Sequence, residues 1–153
     1  MNDKSKDDVL YEDCVTKVLN KDGIAEVSLG TENQFHYAYR DYVEEMGEGP
    51  WAQRIVYNES VSGVLIHQHP GKGNRTHYHE THDEWWVVLK GRIKWWIEGH
   101  GTLIASPGDI VFAPRMRMHK IRTVGEEPSI RLAISPPDIP HCHPTEDLAP
   151  EDF

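Results

Sequence analysis

The chain has 153 residues, with 16 lysines and arginines against 25 aspartates and glutamates, a formal net charge of −9 and ten histidines. That length suits one domain with one core. The acidic balance argues against nucleic-acid or anionic-membrane partners, since both need a basic patch. No run nears the roughly 18 apolar residues of a membrane span, and "MNDKSKDDVLYEDC" lacks the basic start and apolar core of a signal peptide, so a cytoplasmic location is expected.

Residues 1–8 are polar and charged. From Asp8 to Leu19, the apolar residues Val9, Leu10, Val15, Val18 and Leu19 predict a short amphipathic helix that stops near "NKDG". "FHYAYRDYVEEM" predicts a second helix ending at Gly47, although its aromatics also suit a strand. Cys14 and Cys142 lie far apart and are expected to be plain thiols in a reducing compartment, with Cys142, inside "HCHP", a weak candidate for a peripheral metal contact. From about Ala52, eight short runs rich in Val, Ile and Trp recur: "QRIVYNE", "VSGVLIHQ", "EWWVVLKG", "RIKWWIEG", "GTLIAS", "DIVFAP", "HKIRTV" and "SIRLAIS". Turn residues separate them, which predicts an all-β barrel or sandwich. Residues 136–153 are rich in proline and acid and read as a tail or wrapping arm.

The stretch "GKGNRTHYHETHDEWWVVLKG", residues 71–91, concentrates the chemistry. It is not a zinc-protease helix, because His79 and His82 are three apart rather than four, and "GKGNRT" lacks the gap and the following helix of a phosphate loop. In a strand, His77 and His79 share a face with Cα atoms roughly 6.5–7 Å apart, close enough to converge on one ion. Glu84 follows a polar turn, and His119 comes from a later strand. A closed barrel brings such distant positions together around a small ligand. Three imidazoles and one carboxylate suit Fe, Mn, Ni, Cu or Zn and leave one or two positions for substrate or water.

The spacing resembles the cupin superfamily. The first cupin motif, glycine, five residues, His-x-His, three or four residues, glutamate, six residues, glycine, is matched by Gly71, His77, His79, Glu84 and Gly91. The second is matched by Gly108, Pro114 and His119, with Met116 where glycine is usual and Thr123 where asparagine is usual. The resemblance implies one divalent transition metal per chain, Fe(II) being favoured, held by His77, His79, Glu84 and His119. It also implies a single-domain, jelly-roll-like β-barrel over 55–137, with a partly helical N-terminal extension over 1–54 and an acidic, proline-rich tail over 138–153. Cupins commonly pair through sheets, so a homodimer is expected.

If Glu84 points inward, Trp86 and Val88 follow it, and Trp85, Val87 and Leu89 form an outward apolar face that something must cover. Ile93, Trp95 and Ile97 read as the buried face of the next strand. Trp86 is a candidate pocket wall. Arg131 alternates with Ala133 and Ser135, and in one register it binds a substrate carboxylate while in the other it lies outside. His67 or His69 is a candidate acid–base group, His82 a candidate substitute ligand, and Tyr37, Tyr39 or Tyr42 a candidate for the mouth of the barrel.

The fold hosts many activities. The leading expectation is a metal-dependent enzyme acting on a small molecule, in the form of a non-haem iron dioxygenase of an organic acid or aromatic compound. Its alternatives are a non-redox lyase, isomerase or decarboxylase, and a metal-containing binding or sensor module without turnover.

Overall fold

The computed structural model describes the backbone of residues 9–12 and all of residues 15–153; Cys14 lies outside them. The elements run β1 (Val9–Glu12), α1 (Val15–Lys21), β2 (Glu26–Ser28), α2 (Tyr39–Met46), β3 (Trp51–Tyr57), β4 (Ser62–Gln68), β5 (Glu84–Lys90), β6 (Arg92–Ile97), β7 (Gly101–Ala105), β8 (Ile110–Ala113), β9 (His119–Val124), β10 (Ser129–Ser135) and β11 (His141–Pro144). All eight strands expected from the Val, Ile and Trp runs are present.

With β2 they form a six-stranded sheet in the order β2-β3-β4-β10-β5-β8 and a three-stranded sheet in the order β7-β6-β9. Only the β2–β3 pair is parallel among the described strands. The architecture is the jelly-roll expected, two apposed sheets that stop short of a fully closed barrel, because no continuous ladder among the described residues joins their edges.

Between the sheets lies the main core, in which Trp86 and Val88 of β5 meet Ile93, Trp95 and Ile97 of β6 and Ile121 of β9. The inward alternation expected for β5 and β6 is observed, with burial switching at every residue along β6. Leu19 and Ile24, at and after the end of α1, close one side of this core.

The predicted Asp8–Leu19 helix is corrected in its first half. Residues 9–12 are extended and pair antiparallel with β11, and the helix occupies Val15–Lys21 instead. A match of two apolar residues to a helical period is too short to outweigh a ladder with a distant strand.

α2 covers the outer face of the six-stranded sheet. Its Tyr39, Tyr42, Val43 and Met46 pack on Trp51, Leu65 and Ile130, together with Leu89 of the outward β5 set. Gly47 ends the helix at φ 66°, its N–H donating to the Val43 carbonyl. The N-terminal segment thus covers part of the apolar outer face, while Trp85 and its cross-strand partner Phe112 remain 38% and 54% exposed.

Candidate metal centre

Each candidate ligand is placed by backbone pairing. Glu84 opens β5 and His119 opens β9. His77 sits opposite His119 in a short antiparallel bridge, each N–H donating to the other's carbonyl at 3.0 and 2.8 Å. Two residues on, the carbonyl of His79 accepts from the Met116 N–H at 2.7 Å.

The four side chains are buried, and one donor atom from each lies within 4.8 Å of all the others. Glu84 Oε2 is 2.9 Å from His79 Nε2, 3.4 Å from His119 Nε2 and 3.9 Å from His77 Nε2.

The other ring nitrogens decide what these atoms offer. Nδ1 of His77, His79 and His119 lies 2.8, 2.9 and 3.0 Å from the carbonyls of Arg75, Pro140 and Arg117. A carbonyl only accepts, so in each neutral ring the proton sits on Nδ1 and the Nε2 lone pair is turned to the common centre. His119 Nε2 is buried and makes no hydrogen bond with any described residue. An orphaned, inward-facing imidazole nitrogen beside two others and a carboxylate fits a divalent first-row metal ion, whose bonding would replace the missing hydrogen bond.

Electrostatics agree with that donor set. Burial pushes the His77 imidazole down to about 4, assisted by the charge of His119, so it stays in the neutral form a metal requires. Burial also raises the Glu84 carboxyl, but the imidazoles of His119, His77 and His79 outweigh it and hold the group well below the usual carboxylate range. His79 is disfavoured as a cation by burial, yet the hydrogen bond and charge of Glu84 more than compensate and raise it.

Beside the cluster is a cavity of about 50 Å³, bounded by Val15, Val18 and Leu19 of α1, by Ile66 and Trp86, and by His77, Glu84 and His141. Trp86 is 1% exposed and packs 5.3 Å from the His119 ring and 5.7 Å from Trp95. It serves as both core and wall.

Arg131 lies in the cavity-facing register with Ala133 and Ser135. It is fully buried, however, with its two terminal amino groups donating to Gln68 Oε1 at 2.6 Å and to Asn74 Oδ1. Asn74 in turn donates to the buried carboxylate of Asp22 at 2.7 Å, which also binds Arg75. Both terminal amino groups of its fork are therefore engaged by the scaffold, while its buried Nε makes no hydrogen bond with any described residue.

The His67 expectation is corrected. Its ring stacks on Trp51 at 5.3 Å on the α2 side of the six-stranded sheet, because β4 turns Ile66 and Gln68 inward and His67 outward. His69 binds the Gly49 carbonyl, outside the cluster. Tyr39 and Tyr42 lie on the face of α2 that packs on the outer side of the six-stranded sheet, and the Tyr37 hydroxyl donates to Thr31 and Ile55 carbonyls, so none reaches the site. His82 pairs with the Thr81 hydroxyl in the turn and stands outside the four-residue cluster. Cys142 is buried outside the four-residue cluster, its thiol pushed up to about 11 by burial.

The structure adds two groups that the sequence reading missed, both from the supposed tail. The Pro140 carbonyl orients His79, and the His141 ring lies 4.6 Å from His79 and 5.0 Å from His77. The signal was present as a second His-x-His, at His141 and His143, in a segment whose prolines and acids hid a strand.

The protein family described as "Cupin domain" matches residues 64–135, a span that contains all four clustered side chains. The chain belongs to the cupin superfamily. A curated relative of this cupin, quercetin 2,3-dioxygenase of Bacillus subtilis (strain 168), is 32% identical over an alignment of 92 residues that covers 53% of this chain and 27% of that enzyme. The chain therefore spans about a quarter of that relative's length. Among solved structures, KdgF from Halomonas sp. is 25% identical with a TM-score of 0.50, covering 56% of this cupin and 76% of that chain. An uncharacterized Klebsiella pneumoniae protein with a double-stranded β-helix domain has a TM-score of 0.57 at 21% identity, covering 69% and 87% of the two chains, a likeness of fold alone.

The two departures from the second cupin motif also have physical accounts. Met116 adopts φ 64°, the left-handed region that explains why glycine is usual there, and its side chain is 58% exposed. Thr123 is buried, but its hydroxyl shares a 2.6 Å hydrogen bond with Ser129, so nothing polar is left unpaired. Met116→Gly is expected to raise unfolding stability by about 1 kcal/mol, the left-handed penalty of a non-glycine residue less glycine's chain entropy. Urea unfolding measures it; an unchanged or lower midpoint contradicts the strain.

Proposed function

We propose that this cupin is a metal-dependent enzyme with His77, His79, Glu84 and His119 as ligands, and that it is a non-haem iron dioxygenase acting on a small organic acid. The observation that carries the reading is the convergence of three Nε2 atoms on Glu84, with every Nδ1 engaged by a backbone carbonyl. The dioxygenase named for the Bacillus subtilis relative supports the reaction class. When bound, an iron ion supplies a centre at which substrate and O₂ exchange electrons without an organic cofactor.

The chain's own residues limit what can react. Trp86, Ile66 and the α1 side chains Val15, Val18 and Leu19 keep bulk water from the open side of the cluster. A cavity of about 50 Å³ is far below the roughly 300 Å³ of a drug-sized pocket. Three-ring quercetin does not fit it, so a substrate of only a few heavy atoms is favoured over an aromatic one.

The first test is metal content per chain on protein purified without oxygen or chelators, followed by oxygen uptake with small organic acids. About one iron per chain with acid-dependent uptake is expected. One equivalent of metal with substrate loss but no oxygen consumption replaces the dioxygenase by a non-redox lyase, isomerase or decarboxylase, and no metal uptake removes the enzyme reading.

A further inference from the structure

The segment after β10 does more than trail from the domain. β11 pairs with β1 and, through Cys142, makes two 3.0 Å backbone hydrogen bonds with Tyr78, the residue between His77 and His79. Beyond it, Asp147 binds the Thr76 hydroxyl and the Lys120 ammonium. Phe153, 5% exposed, lies under Lys94, Lys120 and Arg122 at 4.8–5.4 Å. The strap is thus fastened at both ends across the metal cluster.

Its geometry places one polar side chain at the cavity beside the cluster. His141 lines the cavity together with His77 and Glu84. It lies outside the set of four mutually close donor atoms, so it is a neighbour of the centre rather than one of its ligands. Its Nδ1 is buried without a hydrogen-bond partner among the described residues. Buried imidazole nitrogens are normally paired, so the arrangement lacks a partner that a molecule in the cavity can supply. The other strap histidine is turned to a different task, with His143 Nδ1 on the Thr76 carbonyl.

We propose that His141 is a substrate-contacting residue, hydrogen-bonding the small molecule that occupies the open position of the metal centre, and that the strap exists to bring it there. This rests on the metal-centre reading above. A neutral imidazole can both donate and accept, which suits an anionic or carbonyl oxygen of a small acid.

The test uses the full chain loaded with Co(II), with azide as the probe and the visible cobalt bands as the readout. Cobalt content and azide affinity are measured on the parent, on His141→Phe, which keeps a ring without nitrogens, and on His141→Gln, which restores a hydrogen-bonding group. Expected are unchanged cobalt content in all three, azide binding weakened about tenfold or more in His141→Phe, and most of that loss recovered in His141→Gln. Unchanged azide affinity in His141→Phe overturns the proposal, as does equal weakening in both variants, which marks a role of shape alone. Cobalt loss in His141→Phe overturns it differently, by making His141 a support of the metal. A parent that takes up no cobalt brings down the metal-centre reading, and the contact role with it.

Discussion

His77→Ala and His119→Ala are each expected to lose most of the bound metal while the fold persists. Each substitution deletes a donor whose Nε2 faces Glu84 within 4 Å. Changing only an outer-shell partner of a ligand typically costs about 10–100-fold in affinity, so direct loss of a ligand is expected to cost at least about 100-fold. The fold survives because β9 remains paired with β6 from Arg92 to Ile97, and because the bridge between positions 77 and 119 is made by backbone atoms. Metal content after gel filtration, together with a far-ultraviolet spectrum, checks both halves. His82→Ala is the control and keeps its metal, since that ring lies with Thr81 in the turn. If both ligand variants hold metal like the parent, or if His82→Ala empties the site, the assignment is wrong.

Trp86→Ala is the most damaging change expected in the core near the site. The indole is 1% exposed and fills the space between Trp95, the His119 ring and the cavity. Truncation removes its apolar burial and leaves a void that the β5 and β6 backbones cannot close, at a cost of about 3–5 kcal/mol. For a chain of this size that is a fall in Tm of roughly 6–20 °C. Trp86→Phe, which keeps an aromatic ring over His119, falls less. Thermal unfolding of the metal-free forms separates this loss from any lost stabilisation by bound metal. A fall of less than about 1 kcal/mol for the alanine variant means that the indole is not packed as described.

These two residues show the double use of the inward face of β5. Glu84 and Trp86 are two apart, so one strand delivers both the carboxylate and the wall beside it. The same alternation explains why a small cavity survives in a tightly packed core: the inward residues of β10 shrink from Arg131 to Ala133 and Ser135 as the strand passes the cluster. Arg131 keeps a buried charge only through the chain Gln68, Asn74 and Asp22. Burial lowers its guanidinium to about 10, which still leaves it cationic at neutral pH.

The sequence by itself determined eight of the strands, β3 to β10, the inward faces of β5 and β6, and the donors that gather in the site. Strand alternation and turn residues are local properties, and the His-x-His, glutamate and later histidine stand at spacings that are countable along the chain. Tertiary structure alone decided the rest. Residues 9–12 became a strand because β11, some 130 positions later, offered backbone partners, and no local pattern encodes so distant a ladder. His67 and Arg131 each had two faces open to them, and only the packing of α2 on one side and α1 on the other showed which was outer and which lined the cavity. His141 went unread for the same reason: its strand pairs with β1 and Tyr78 and has no apolar alternation of its own. Its role by the metal centre follows from where the strap is fastened.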